Sequence, residues 1–309
     1  MPADFHTMQQ PHATPAFDEA WRDKLARAHR TRDAFDAARA ASPKWFKNLS
    51  FPLFAAARAN HWTQNVLDNW EPWYACDHDE RVPTLLHDGP KWMCGAAYHP
   101  APCTLVSLGS NFDDRFERAM YAAAGCRSYI VDPTLAQHPK KLNAFSSSLA
   151  ASIGASVNAS FGVGKDGDLL NIMGMKSKTP LLGLRRLLIE RYPGPTRHVS
   201  VLKVDVEGAE YDVLRDAYRM CADGELSVDQ LVVEFHAGLA LKSGKLREYT
   251  VRDLYDAFAN ASRCDLMLHH KERNGWGCDG FACIEFSWVS ATHARRTMLR
   301  SWGESAAGP

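Results

Sequence analysis

The apolar positions of the chain switch between two periods. From Phe17 to Ala41 they fall at helical spacing (Phe17, Trp21, Leu25, Ala28, Phe35, Ala38), and Ser42-Pro43 ends the run. That spacing predicts an amphipathic helix. No strongly basic face accompanies the stripe, so it is expected to pack on protein rather than on a membrane. A second helical stretch is expected over Leu53–Asn69, with Trp62, Trp70 and Trp73 packed together. Beyond it, short apolar runs bounded by turn residues alternate with helical stretches. Strands are expected at Thr104–Leu108, Ser128–Val131, Ala155–Phe161, from Val199, and at Gln230–His236, Asp265–His269 and Phe281–Val289. Helices are expected at Asp114–Ala124, Gln137–Ser152, Pro180–Tyr192, Ala209–Ala217 and Val251–Asn260. This alternation implies an α/β fold with a mostly parallel sheet and helices on both faces. The short link between the last two strands makes them an antiparallel hairpin. The chain therefore divides into a disordered terminus (1–15), a helical N-terminal extension (16–86), an α/β domain (87–292) and a C-terminal tail (293–309) expected to fray from Thr297.

Composition narrows the classes. The 309 residues, 46% of them hydrophobic, suffice for one large domain. Lys plus Arg and Asp plus Glu are 36 each, so there is no net charge. That balance argues against nucleic acid as the main partner. No apolar run reaches the length of a membrane span. Met1–Pro15 lacks the charged-then-apolar order of a signal peptide. The eight Cys contain no Cys-x-x-Cys pair, and reduced thiols in a cytoplasmic protein are the expectation.

The candidate chemistry gathers around Val199–Tyr211. An apolar, β-branched run there places Lys203, Asp205 and Glu207 on one side, because strand side chains alternate, before Gly208 ends it. Charges at the carboxyl end of such a strand lie where α/β sheets bind ligands. An earlier segment repeats the theme. The Thr104–Leu108 strand leads into Gly109-Ser110-Asn111-Phe112-Asp113 and a helix, and the next strand closes at Asp132-Pro133. The glycine would let a ligand approach the backbone, and the acid can accept bonds from both ribose hydroxyls. The fifth strand ends in Glu234 and His236, and His is a suitable general base near neutral pH. Asp77-His78-Asp79-Glu80 reads as a solvated turn rather than a metal cluster, and His87–Gly95 as an ordered loop. Gly162–Asp168 lacks the Gly-Lys-Ser/Thr of a phosphate-binding loop.

Dinucleotide oxidoreductases and S-adenosylmethionine methyltransferases both fit this arrangement. The former would show Gly-x-Gly-x-x-Gly after the first strand, where only Gly109 stands. Leu202-Lys203-Val204-Asp205-Val206-Glu207-Gly208-Ala209-Glu210 resembles the hallmark of FkbM-type methyltransferases. A methyltransferase-like branch of that group is resembled, in order, by Asp88–Cys94, Ser107–Asn111, Val131–Pro133, Glu234–His236 and His270–Asn274 with Glu285. The match spans Asp88 to Val289, with Pro90 replacing a glycine of the pattern.

The resemblance implies a class I methyltransferase Rossmann-like fold with a seven-stranded sheet, and S-adenosyl-L-methionine as cofactor. Gly109, Ser110 and Asn111 would approach its methionine part, and Asp132 with Pro133 its ribose. Asp88, Lys91 and Trp92 would close over the amino-acid end, with Lys91 pairing its carboxylate. Asp205 and His236 would flank the reacting methyl, His236 as base and Asp205 orienting it or binding substrate. Glu207 and Glu234 complete the catalytic set. These two with Asp205 could hold a divalent metal, a reading not favoured over a metal-free site. The implied acceptor is a sugar or small-molecule hydroxyl. The rivals are a catalytically inert module of the same shape and, further off, a nicotinamide oxidoreductase.

Overall fold

The structure, a computed structural model, describes residues 13–41, 49–53, 56, 66–111, 113–132, 169–172, 175–180, 183–191, 197–236, 249–276 and 283–306. The expected helix at Gln137–Ser152, the strand at Ala155–Phe161, the loop Gly162–Asp168, Pro133 and much of Leu53–Asn69 lie outside these residues.

The sheet is built from β3 (Thr104–Leu108), β4 (Arg127–Val131), β7 (Arg197–Val204), β8 (Leu226–His236), β9 (Leu266–Arg273) and β10 (Cys283–Ser290). Its six described strands run β4-β3-β7-β8-β10-β9. The first four are parallel. β10 is antiparallel to both β8 and β9, which is the hairpin expected from the short link. This is the arrangement the resemblance implies, with six described strands where seven are expected. β3 has β4 on one side and β7 on the other, so strand order reverses there and opens a crevice at the carboxyl ends.

Alternation distributes the strand residues between two layers. Val106, Leu108, Val199, Leu202 and Val204 pack with α3 (Leu184–Arg191), α4 (Glu210–Ala222) and α5 (Val251–Ala259). Leu105, Val201 and Val232 face Phe116 and Met120 of α2 (Arg115–Ala124) and Met93. Burying each such aliphatic side chain contributes about 1.5–3 kcal/mol. Gly125 ends α2 in the left-handed region at φ 67°, its amide donating to Tyr121 O. A separate hairpin, β5 (Leu169–Ile172) with β6 (Met175–Pro180), stands outside the main sheet.

Three expectations change. The tail is helical: α6 (Ala291–Ala306) follows β10 and packs against α1 (Pro15–Ala41). Ala294 and Met298 join Phe17, Trp21 and Ala28 in one cluster, and Arg295 pairs with Asp18 at 2.6 Å. The segments read as a turn and a loop form an antiparallel pair, β1 (Asp79–Val82) with β2 (Lys91–Cys94). Asp79 bonds His270 at 2.7 Å, and Asp77 pairs with Lys24 at 2.6 Å, so the tetrad is held by protein partners. The cysteines are not reduced. Cys76–Cys94, Cys103–Cys126 and Cys221–Cys264 are disulfides, and Cys283 is also disulfide-bonded. Cysteine spacing carries no signal for such pairing, because the partners meet only through the fold.

Candidate active site

At the end of β3 the chain turns through Gly109 (φ 82°) and Asn111 (φ 45°). A Cβ at position 109 would lie 1.7 Å from Asp205 O. The glycine is therefore required by the backbone leaving β7, a reason different from the ligand approach read in the sequence. The two strand ends are laced together. Asp205 N donates to Leu108 O at 2.9 Å, and Lys203 Nζ donates to Gly109 O. Asp132, nearly buried at the end of β4, accepts from Ser110 N at 2.6 Å and Asn111 N at 2.8 Å through one oxygen. The acid thus braces the turn while standing beside the crevice. Cβ-free backbone, bent amides and a carboxylate at the switch point are a donor set that fits the ribose and methionine parts of S-adenosylmethionine.

Beside this turn lies the second half of the site. His236, at the end of β8, is 2% exposed. Its Nδ1 stands 2.8 Å from Glu210 Oε1, which also accepts from Val206 N at 3.1 Å and Gly208 N at 3.0 Å. The carboxylate nearest the ring is thus Glu210. Asp205, expected either to orient the ring or to bind substrate, lies 3.9 Å from the other nitrogen. Nε2 also faces Glu207 Oε2 and Glu234 Oε1, both at 3.7 Å. Burial alone would push the imidazole pKa down, but Glu210, Glu207 and Glu234 outweigh it and hold it at about 10. Glu207 has its side chain 46% exposed and sits at φ 53°, an uncommon conformation for a residue with a Cβ. Burial and the neighbouring carboxylates raise its carboxyl to about 7, against the pull of His236. Burial would raise Asp205 too, but Lys203 and Lys91 hold it below its ordinary value.

Lys91 is not where the sequence put it. Its side chain is 1% exposed, in contact with Glu285, 3.4 Å from Glu234 and 3.9 Å from Asp205. Burial favours its neutral form, yet Glu285, Asp205 and Glu234 keep it charged. It supports the His236 half rather than offering itself to a cofactor carboxylate. Asn274 Nδ2 bridges Asp88 Oδ1 at 3.0 Å and Glu234 Oε1 at 2.9 Å. Trp92 stacks on His270 at 3.9 Å between ring centroids and donates to Glu272 at 3.2 Å. Of the cofactor set, Gly109, Ser110, Asn111, Asp132 and Asp205 come together. Asp88, Lys91 and Trp92 belong to the second half, and Pro133 is outside the described residues. The residues missed as site members are Glu210 and Asn274. For Glu210 the available signal was an acid two residues past Gly208 at a helix start.

Among the described residues, three groups have spacing suited to a metal. Glu234, His236 and Cys283 lose the thiolate because Cys283 is in a disulfide. In the group of Asp88, Glu234 and Glu285, the two glutamates already pair with Lys91, which supplies the cation. His99, Asp229 and His293 lie at the opposite sheet end. There the Gln230 amide, clamped to Cys94 N and O at 2.8 and 3.1 Å, aims its NH2 at His99 Nε2, 2.9 Å away. His99 Nδ1 stands 3.7 Å from Asp229 Oδ2, and the Gln230 amide also approaches His293 Nε2 at 3.2 Å.

A family model described as a methyltransferase domain matches residues 16–290. No curated protein matches the chain. Among solved structures, an O-methyltransferase from neocarzinostatin biosynthesis, crystallised with S-adenosylmethionine and 2-hydroxy-5-methyl naphthoic acid, is 14% identical, with a TM-score of 0.32. The match covers 63% of this chain and 51% of that one. The mitomycin 7-O-methyltransferase is 14% identical over 63% of this chain and 53% of its own, with a TM-score of 0.33. A 16S rRNA (adenine(1408)-N(1))-methyltransferase from Catenulisporales acidiphilia is 13% identical over 63% and 88%, with a TM-score of 0.32. The chain thus spans about half the length of the first two.

Proposed function

The chain belongs to the methyltransferase-domain family, and on that premise we propose that it transfers a methyl group from S-adenosylmethionine to a hydroxyl of a sugar or small-molecule acceptor. The observation that carries this reading is the convergence at two touching strand ends. The Gly109–Asn111 turn braced by Asp132 adjoins a buried imidazole whose Nε2 faces Asp205, Glu207 and Glu234. The first half suits the cofactor and the second handles a proton. FkbM-type acceptor chemistry is the finer form of the same proposal, resting on the Leu202–Glu210 hallmark.

When bound, S-adenosylmethionine supplies an electrophilic methyl on a positively charged sulfur. Methyl transfer forms a carbon–oxygen bond as the carbon–sulfur bond breaks, and the acceptor's hydroxyl proton must leave. Ser110, Asn111 and Asp132 would hold the cofactor's polar parts, and Gly109 keeps the turn tight against Asp205. His236 Nε2 takes the proton. With a pKa of about 10 the imidazole is charged at neutral pH in the protein alone. A sulfonium held beside the ring would disfavour that charge and lower the imidazole's pKa. Glu207, half-exposed and titrating near 7, passes the proton between His236 and solvent. Lys91 pairs with Glu234 and Lys203 with Asp205, so these acids shape the pocket as ion pairs.

The disulfides bear on where this happens. The cytoplasmic expectation rested on the lack of a visible signal peptide or membrane span, with reduced thiols alongside; paired cysteines fit an oxidising compartment. Among the described residues no helix is long and apolar enough to cross a membrane.

The test is calorimetric titration of the purified protein with S-adenosylhomocysteine, beside Asp132→Ala. Micromolar binding lost in the variant is expected, followed by methylation of a hydroxylated acceptor in a screen with and without magnesium. Absence of binding by folded protein would overturn the enzyme reading in favour of an inert module. Turnover that requires magnesium would overturn the metal-free site.

A further inference from the structure

We propose that Glu210 is a positioning residue of this reaction, with a single carboxylate oxygen setting the His236 imidazole and the Asp205–Gly208 turn against each other. The inference rests on reading the site as a methyl-transfer centre.

Three donors meet on Glu210 Oε1: Val206 N at 3.1 Å, Gly208 N at 3.0 Å and His236 Nδ1 at 2.8 Å. The first two belong to the turn that carries Asp205 and Glu207. The third belongs to the end of the neighbouring strand. Two backbone amides must donate, so the oxygen acts as an acceptor and Nδ1 must carry a hydrogen. That assigns the tautomer. Nε2 is the nitrogen left to meet an acceptor, in the way carboxylate-held imidazoles are aimed in other sites.

The turn needs the same oxygen. Glu207 and Gly208 are consecutive left-handed residues, at φ 53° and 103°. For Glu207 that conformation is strained, and such strain persists only where the surroundings over-determine it. Bonds to the amides on either side of Glu207 do so. They thereby hold its carboxylate 3.7 Å from His236 Nε2. A simple turn clasp would need no charge. Yet Glu210 is wholly buried, and its second oxygen Oε2 has no hydrogen-bond partner. A buried, half-satisfied carboxylate is costly unless its charge has a use. Its charged neighbour is the imidazole. The other charged groups facing that ring are Asp205 and Glu207 from the turn and Glu234 from β8, with Lys91 from β2 behind Glu234.

Glu210→Gln separates the roles. The amide oxygen can still accept from Val206, Gly208 and Nδ1, but the charge is gone. The expected result is a folded protein that binds S-adenosylhomocysteine within about twofold of the parent. On the alkaline plateau, where the ring is uncharged in both proteins, its kcat falls about 10- to 100-fold with little change in the acceptor KM. The acid limb of its pH–rate profile moves to lower pH, and the His236 ring nitrogens, followed by 15N NMR, lose a proton at lower pH. Glu210→Ala is expected to lose both turn and imidazole, with weakened cofactor binding. If Glu210→Gln turns over like the parent with an unmoved profile and unmoved 15N titration, Glu210 is a clasp and the proposal fails alone. If the parent itself neither binds S-adenosylhomocysteine nor methylates, the methyl-transfer reading fails first and takes this role with it.

Discussion

Replacing Lys91 by Met separates the structure from the sequence expectation most sharply. The side chain is buried against Glu285, 3.4 Å from Glu234 and 3.9 Å from Asp205. Met keeps most of the volume and removes the charge, leaving buried carboxylates without their cation. Breaking a buried ion pair from one side costs about 3–5 kcal/mol. In a domain of this size each kcal/mol moves the midpoint about 2–4 °C, so Lys91→Met should melt roughly 10 °C below the parent at pH 8. The sign with pH follows from the orphaned acids. Burial already holds Glu285 at about 8 beside Lys91, and loss of the cation raises it further, so the penalty is full at high pH. It fades as pH falls towards the ordinary carboxylate range near 4.5. Adding Glu285→Gln should restore most of the loss, because it removes the closest uncompensated charge. Thermal melts of parent, single and double variants from pH 5 to 9 measure all three effects. A single variant that melts within 2 °C of the parent at every pH, yet binds S-adenosylhomocysteine tenfold worse, would refute this reasoning. It would return Lys91 to the cofactor.

Three further outcomes are expected. His236, with its pKa raised from 6.5 to about 10, contributes stability of about 3–5 kcal/mol that is fully present below pH 6.5 and disappears as pH rises through 10. His236→Asn should therefore be destabilised most at pH 6, and urea unfolding that shows an equal deficit at pH 6 and 10.5 would contradict this. Gly109→Ala forces a Cβ into Asp205 O and should cost about 1–3 kcal/mol or more while abolishing S-adenosylhomocysteine binding; calorimetry showing parental affinity would count against the close crossing. Opening Cys221–Cys264, which closes 43 residues, should cost about 4 kcal/mol by loop entropy. A melt unchanged by reductant, after mass spectrometry shows free thiols, would argue that the pairing contributes nothing.

Local pattern was enough for the sheet's parallel core. β3, β7 and β8 announce themselves by buried β-branched runs, and the glycine turns after β3 and β7 follow directly. The site was half legible for the same reason. Asp132, Asp205 and His236 stand at strand ends, and position along a strand is a local property. Lys91 was misplaced because Glu234 and Glu285 lie 143 and 194 residues away, and no spacing rule spans that distance. Glu210 was passed over because a helix-start acid ordinarily needs no explanation beyond the helix dipole. The C-terminal helix looked like a fraying tail because its apolar residues are few. Their partners, Phe17 and Trp21, sit at the other end of the chain. The disulfides were illegible for a similar reason: eight cysteines permit many pairings, and only the folded strands select one.

The crossing of Gly109 under the Asp205 carbonyl also has an evolutionary and engineering reading. Cofactor turn and catalytic turn share a wall with no room for one methyl group, so neither can drift in backbone position without the other. Homologous recombination with a crossover between residues 111 and 203 would join turns selected in different lineages, and such chimeras should mostly fail. Crossovers outside that interval carry both turns as one inherited block. Libraries meant to alter acceptor choice are therefore better built by varying side chains around the site than by exchanging strands beneath it.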